Sequence, residues 1–213
     1  EEQRLILESV DQFIDQHLPA EDVRRRDAEH DPPYHLLPLL GELGLFALPF
    51  PTVYGGLNGD WSTIVRVQER LGYKGAMAAS LFNRVVAFGG MSLLTYGSEQ
   101  QKIELLPRLI RGEILFALAL SEPSAGSDAA AIITRARQTD DGWIINGRKS
   151  WISDADSANY LVVACRTDDT GSGTNGVSIL LVPRSAEGLD MTPLAKVGNN
   201  CLPSWDVAFN VVR

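Results

Sequence analysis

The chain has 213 residues, of which 45% are hydrophobic and 22% charged, the composition of an ordinary globular protein. Its 27 acidic side chains outweigh 19 basic ones, for a formal net charge of -8, which argues against nucleic acid and anionic membranes as partners. Cys165 and Cys201 fit no metal spacing and read as reduced core residues, so a cytoplasmic location is expected. His17, His30 and His35 are scattered and form no ligand pattern.

Residues 1–112 read as a helical domain. Leu5, Ile6, Val10, Phe13, Ile14 and Leu18 recur at helical spacing above a charged face, and Asp31-Pro32-Pro33 ends that segment. Arg24-Arg25-Arg26 is flanked by acids and reads as a solvated helix face. A short helix follows from His35 to Leu45, then a loop at Tyr54-Gly55-Gly56. Asp60 is placed to cap a helix carrying Ile64, Val65, Val67 and Leu71. The most apolar stretch, Ala76 to Tyr96, carries Asn83 and Arg84 and reads as a buried helix, not a membrane span. Its exposed rim is expected to meet another domain. Ser98 and Gln101 have the spacing of a capping box, and Gly112 ends the last helix.

From residue 113 to 213 the period changes to alternation. Strands are expected over Ile114–Leu120, Ile132–Gln138, Trp143–Lys149, Tyr160–Thr167, Val177–Pro183 and Asp206–Val212. Asp140-Asp141-Gly142 and Asn146-Gly147 read as hairpin turns, and Thr170–Gly176 as a flexible loop. The fold class is therefore α+β: a helical bundle over 1–112, then an antiparallel, barrel-like β domain over 113–213. The abrupt end after a strand, and a start without methionine, read as a piece of a longer protein.

Two stretches carry chemistry. In the first, the apolar run through Leu118, Ala119 and Leu120 stops at Ser121-Glu122-Pro123, and Ser124-Ala125-Gly126-Ser127-Asp128 follows. Small residues let a ligand approach the backbone, whose N–H groups and hydroxyls can hold anionic oxygens. The second is Asn146-Gly147-Arg148-Lys149-Ser150-Trp151-Ile152-Ser153. Trp151 and Ser153 stand two apart on a strand, hence on one face, where one can stack on a flat ring and the other bond to a ring heteroatom.

Together these stretches resemble the signature sequences of the acyl-CoA dehydrogenase family, and Tyr54-Gly55-Gly56, Gly97–Lys102 and Lys196-Val197-Gly198 add to the likeness. The resemblance implies a helical domain, a middle β domain and a C-terminal four-helix domain, the last absent from this chain. It implies FAD as cofactor, with Leu118, Leu120 and Ser121 beside the flavin ring and Gly126 and Ser127 near the pyrophosphate. Ser127 would also lie near the thioester substrate. Trp151 would cover the isoalloxazine, with Ile152 beside it and the Ser153 hydroxyl near flavin N5. Helix 76–96 would line the acyl channel. Glu122, Asp128 and Lys149 are given structural roles. No metal site and no catalytic residue is assigned, because the family's basic glutamate is expected beyond residue 213. An acyl-CoA substrate, an electron-accepting flavoprotein and a homo-oligomer, tetramer or dimer, are further implications.

The sequence departs from the family pattern at Ser121 and Ser153, where threonine is commoner. Ser124 and Ala155 stand in glycine positions, with tighter turns as the expected result, and Asn200 stands where arginine is frequent. Besides the dehydrogenase, the same fold could serve a flavin oxidase or monooxygenase, or a non-catalytic subunit that binds FAD or CoA.

Overall fold

The computed structural model describes residues 1–74, 76–168 and 173–213. Among these the first half holds seven α-helices: α1 (Glu2–His17), α2 (Ala20–Glu29), α3 (Leu36–Glu42), α4 (Trp61–Lys74), α5 (Ala76–Asn83), α6 (Ser92–Tyr96) and α7 (Glu99–Ile110). Val10, Phe13 and Ile14 form the buried stripe of α1. The helix stops at Leu18 because Pro19 follows, and Pro19 in turn starts α2. The arginine run lies on α2, where Arg25 and Arg26 pair with Asp22, Glu29 and Asp31, as a solvated face should.

Asp60 caps α4: its carboxylate accepts from the Thr63 N–H at 3.0 Å and from the Ser62 and Thr63 hydroxyls at 2.6 and 2.7 Å. Those bonds hold its pKa down at about 2. The capping box on α7 is present, with reciprocal bonds between Ser98 and Gln101. Gly112 follows α7 at φ +71°, and a Cβ there would lie 2.2 Å from the Leu37 carbonyl oxygen, so only glycine fits.

The apolar run from Ala76 to Tyr96 is one continuous helix, but Arg84–Met91 between α5 and α6 is π-helical. By length and composition alone it could cross a membrane; 61% of its most apolar window is buried within the protein. Tyr96 is exposed at its end.

The chain divides into two compact units. One is Glu1–Leu115 with Lys196–Leu202; the other is Phe116–Ala195 with Pro203–Arg213. In the helical unit, Asp27 of α2 accepts from the consecutive N–H groups of Asn200 and Cys201, at 2.5 and 3.2 Å. Lys196 ties the same segment by bonding to the carbonyls of Asn199 and Leu202.

The second unit is one curled sheet of β1 (Phe116–Ala119), β2 (Arg135–Thr139), β3 (Gly142–Ser153), β4 (Tyr160–Arg166), β5 (Val177–Pro183), β6 (Leu189–Pro193) and β7 (Ser204–Val212). The strand order is β1-β4-β2-β3-β7-β6, with β5 added alongside β4. The sheet is mixed, not purely antiparallel: β1 runs parallel to β4, and β2 meets β4 in parallel at Arg135 and Arg166. The excursion between β1 and β4, which contains the β2–β3 hairpin, is long enough to return the chain in the same direction. Ala117, Ala119, Ile145, Ile152, Leu161, Val163, Cys165, Val207 and Phe209 fill the interior.

Asp140-Asp141 is the tip of the β2–β3 hairpin, since Thr139 pairs with Gly142. Asn146-Gly147 is not a turn: β3 runs through it. Gly147 sits at φ +151°, and a Cβ there would lie 2.5 Å from Thr134 Oγ1. The glycine permits close approach of two segments instead of a reversal. The Asn146 side chain accepts from the Val211 N–H at 3.0 Å, where the register with β7 shifts. Strand β6 escapes the alternation rule because it is short, polar and ends in Pro193; it pairs only with β7, and an edge tolerates proline. Ile132 to Thr134 lies before β2, held by contacts described below. Of the expected loop at 170–176, residues 170–172 lie outside the described residues, and Gly173 and Gly176 both have positive φ.

Candidate functional site

The site begins where β1 ends. Ala117 and Ala119 point into the sheet interior, leaving Leu118 and Leu120 half-buried on the other side. The chain then makes a tight turn. Glu122 and Ala125 exchange backbone hydrogen bonds at 2.9 and 3.1 Å around Pro123-Ser124. Ser124 does not need positive φ there, and neither does Ala155 in its own turn, so neither missing glycine strains the backbone. Gly126, Ser127 and Asp128 follow and are exposed; a Cβ on Gly126 would meet open space. The Asp128 carboxylate accepts from the Ala130 N–H at 3.2 Å and caps a single 3-10 turn, Ala129–Ala131.

The second stretch lies on β3, and one backbone bond joins it to the first: the Ser150 N–H donates to the Ser121 carbonyl at 2.9 Å. Beside it, Lys149 Nζ donates to the Leu120 carbonyl at 2.9 Å and to Glu122 Oε1 at 2.7 Å. The Lys149 and Glu122 side chains are 0% and 1% exposed. Glu122 also accepts from the N–H groups of Ile133 (2.8 Å) and Thr134 (3.0 Å). Burial pushes the Glu122 carboxyl up, but its bonds from Lys149, Thr134 and Ile133 prevail and hold it below the ordinary glutamate range. Burial also pulls the Lys149 ammonium below the usual lysine value, against the attraction of Glu122.

Strict alternation would put Lys149, Trp151 and Ser153 on one face. Against β7, however, Lys149 stands opposite Val207 and Ile152 opposite Trp205, so β3 carries one extra residue between them. This β-bulge turns Lys149 inward while Trp151 stays 60% exposed. Trp151 has φ +63°, a left-handed backbone that a bulky aromatic residue rarely adopts. Ser153 is half-buried and pairs with Ser204 of β7. Ile152 is 1% exposed and packs in the sheet core, so only its backbone could reach a ligand. Asp206 pairs with Arg148 at 2.7 Å, and the nearby Ser150 side chain, more than Arg148, holds its pKa below the ordinary value.

The structure thus brings Leu120 and Ser121 beside Lys149 and Ser150, with Trp151 next in the chain, Ser153 further along β3, and Gly126 and Ser127 on the loop that leaves this point. A flat ring could lie on the exposed indole with hydroxyls nearby, so the residues fit an aromatic cofactor with polar edges. The carbonyls of Leu120 and Ser121 are already engaged within the protein, which leaves N–H groups and the Ser121 hydroxyl for a ligand. The sequence gives no sign of the Lys149–Glu122 pairing. The bulge that creates it depends on the register with β7, a strand distant in sequence.

The sequence model of the acyl-CoA dehydrogenase N-terminal domain matches residues 1–113, and that of the middle domain matches residues 117–212. The chain belongs to the acyl-CoA dehydrogenase family. It is 34% identical over 198 residues to the probable acyl-CoA dehydrogenase YngJ of Bacillus subtilis, covering 92% of this chain and 52% of that one. It is 31% identical over 215 residues to the 3-(aryl)acrylate reductase of Clostridium sporogenes, covering 100% and 56%. Among solved structures, glutaryl-coenzyme A dehydrogenase in complex with glutaryl-CoA superposes with a TM-score of 0.94 at 30% identity, covering 100% of this chain and 54% of that one. A glutaryl-CoA dehydrogenase of Mycobacterium smegmatis in complex with FADH2 superposes at 0.91 with 28% identity, covering 100% and 53%. This chain spans about half the length of these acyl-CoA dehydrogenase relatives.

Proposed function

We propose that this chain is the flavin-binding and substrate-binding half of an FAD-dependent dehydrogenase that desaturates an acyl-CoA thioester between Cα and Cβ. The observation that carries this reading is the junction of the two stretches through Ser150 and Ser121, with an exposed, left-handed Trp151 beside it. Backbone strain of this kind persists where function requires it.

When bound, FAD supplies the acceptor for the hydride leaving Cβ. Trp151 offers the aromatic surface against which the isoalloxazine lies. The hydroxyls of Ser153 and Ser121 bond to polar edges of the ring, with backbone groups of Leu118, Leu120 and Ile152 alongside. Gly126 and Ser127 hold the pyrophosphate, and Ser127 also faces the thioester. The proton at Cα requires a carboxylate base within hydrogen-bond reach, and we assign that role to a glutamate beyond residue 213. A separate flavoprotein as electron acceptor and a homo-oligomer, tetramer or dimer, belong to the same reading and rest on family membership. The buried free thiols of Cys165 and Cys201 fit the reducing cytoplasm.

The test is anaerobic addition of acyl-CoA thioesters of different chain length to the full-length, FAD-loaded protein. Loss of the oxidised-flavin absorbance with at least one thioester is expected. No reduction by any of them contradicts the dehydrogenase assignment, and rapid oxygen consumption during turnover replaces it with an oxidase or monooxygenase.

A further inference from the structure

The Lys149–Glu122 pair joins three segments of chain at one buried point. Lys149 bonds to residues 120 and 122, Glu122 bonds to 133 and 134, and the neighbouring Ser150 N–H bonds to 121. A buried ion pair is a poor device for stability alone, because apolar residues of similar size often serve as well or better. Its hydrogen bonds are directional, however, and three of them fix backbone atoms: the Leu120 carbonyl, at the start of the Ser121–Ser127 loop, and the N–H groups of Ile133 and Thr134. The pair also lies at the bulge that separates the inward Lys149 from the outward Trp151.

We infer that Lys149 and Glu122 are positioning residues. They hold the bulge that presents the Trp151 indole and close the 122–134 excursion, so that the Ser121–Ser127 loop and Trp151 keep one register. Neither side chain reaches solvent, so both act through the backbone of their neighbours. The inference rests on the flavin reading above for what is being positioned, but the clasp is testable without any flavin.

The experiment compares the full-length wild type with Lys149→Met and with the double variant Lys149→Met/Glu122→Gln. The single change leaves a buried carboxylate without its cation and is expected to destabilise. The double change removes both charges and is expected to restore a urea midpoint close to wild type. Despite that recovery, amide exchange at Ser150, Ile133 and Thr134 should be at least tenfold faster, FAD should bind at least tenfold more weakly, and the visible flavin band should shift. A merely structural pair would recover flavin binding together with stability. Wild-type affinity and an unshifted band in the double variant therefore overturn the inference. Amide exchange in flavin-free wild type is a control that needs no variant: unprotected Ile133 and Thr134 amides overturn the clasp directly. Absence of FAD binding by wild type, with those amides protected, removes the flavin reading and with it the positioning role, while leaving the clasp itself in place.

Discussion

The Ser150 N–H donates to the Ser121 carbonyl at 2.9 Å, and this one backbone bond sets the two halves of the candidate site side by side. Each half alone is an ordinary feature, a strand followed by a small-residue loop and a tryptophan on a strand. Their junction places a hydroxyl-bearing loop and an exposed indole at neighbouring backbone positions.

Breaking the buried pair beneath that junction is expected to be costly. Glu122→Ala removes the partner of Lys149 and the acceptor of two backbone N–H groups, and should lower stability by about 3–5 kcal/mol. The pH dependence has a definite sign. The carboxyl of Glu122 is depressed in the folded state, so its contribution is fully present above the ordinary glutamate pKa and is lost as pH falls through the depressed value. Urea midpoints of wild type and Glu122→Gln should differ most near neutrality and converge only as the pH falls below the ordinary glutamate range, through the depressed value. A gap that widens on acidification contradicts the assignment.

Trp151 should be a site where stability is sacrificed for function. Its side chain is 60% exposed and its backbone left-handed at φ +63°, a region asparagine enters with less strain. Trp151→Asn is expected to raise the stability of the flavin-free protein by roughly 0.5–1 kcal/mol while weakening flavin binding. Thermal melts with and without FAD measure both. Loss of stability in the flavin-free variant indicates that the indole is held by packing instead.

Gly147→Ala places a methyl group 2.5 Å from Thr134 Oγ1 and 2.7 Å from its Cα. Overpacking at a backbone should cost roughly 1–3 kcal/mol. It should also disturb the neighbouring N–H of Thr134, so amide exchange there should quicken. An unchanged urea midpoint would mean that the two segments can separate freely.

Much of the fold was legible because it rests on local rules. The stripe of Val10, Phe13 and Ile14, the Ser98–Gln101 box and the Asp140-Asp141 hairpin each depend on residues a few positions apart, and each forms as read. What was not legible depends on distant partners. The parallel pairing of Phe116 with Tyr160 follows from how the intervening excursion returns, which alternation cannot encode. Asn146-Gly147 has the composition of a turn, but its glycine answers to Thr134 across the fold. Lys149 reads as structural, but parity would put it on the face of Trp151, and only the bulge against β7 turns it inward onto Glu122. Trp151 lies within that bulge at φ +63°, so the two-residue alternation that relates it to Ser153 in the sequence does not by itself set its face.

In the helical unit, Asp27 is expected to keep Cys201 inert. Cys201 is 3% exposed, and burial, with Asp27 as a further cause, pushes its thiol up to about 11. Asp27→Ala removes the acceptor of the Asn200 and Cys201 N–H groups and should free the 196–202 segment. Thiol titration with a coloured disulfide reagent in native buffer should then register one reactive cysteine where wild type registers none. Cys165, buried in the sheet and also raised to about 11, serves as the internal control. Equal reactivity in wild type and variant means that Asp27 does not hold the segment.

The central claim is that FAD lies on the face of Trp151 and Ser153, and flavin titration of the full-length wild type, Trp151→Ala and Ser153→Ala tests it most directly. Wild type should bind FAD stoichiometrically. Trp151→Ala should lose on the order of 1 kcal/mol of stacking beyond area burial, or more than a fivefold loss of affinity. Ser153→Ala should lose roughly 0.5–1.5 kcal/mol and shift the flavin band. Equal affinity in all three proteins, or no binding by wild type, would contradict the site.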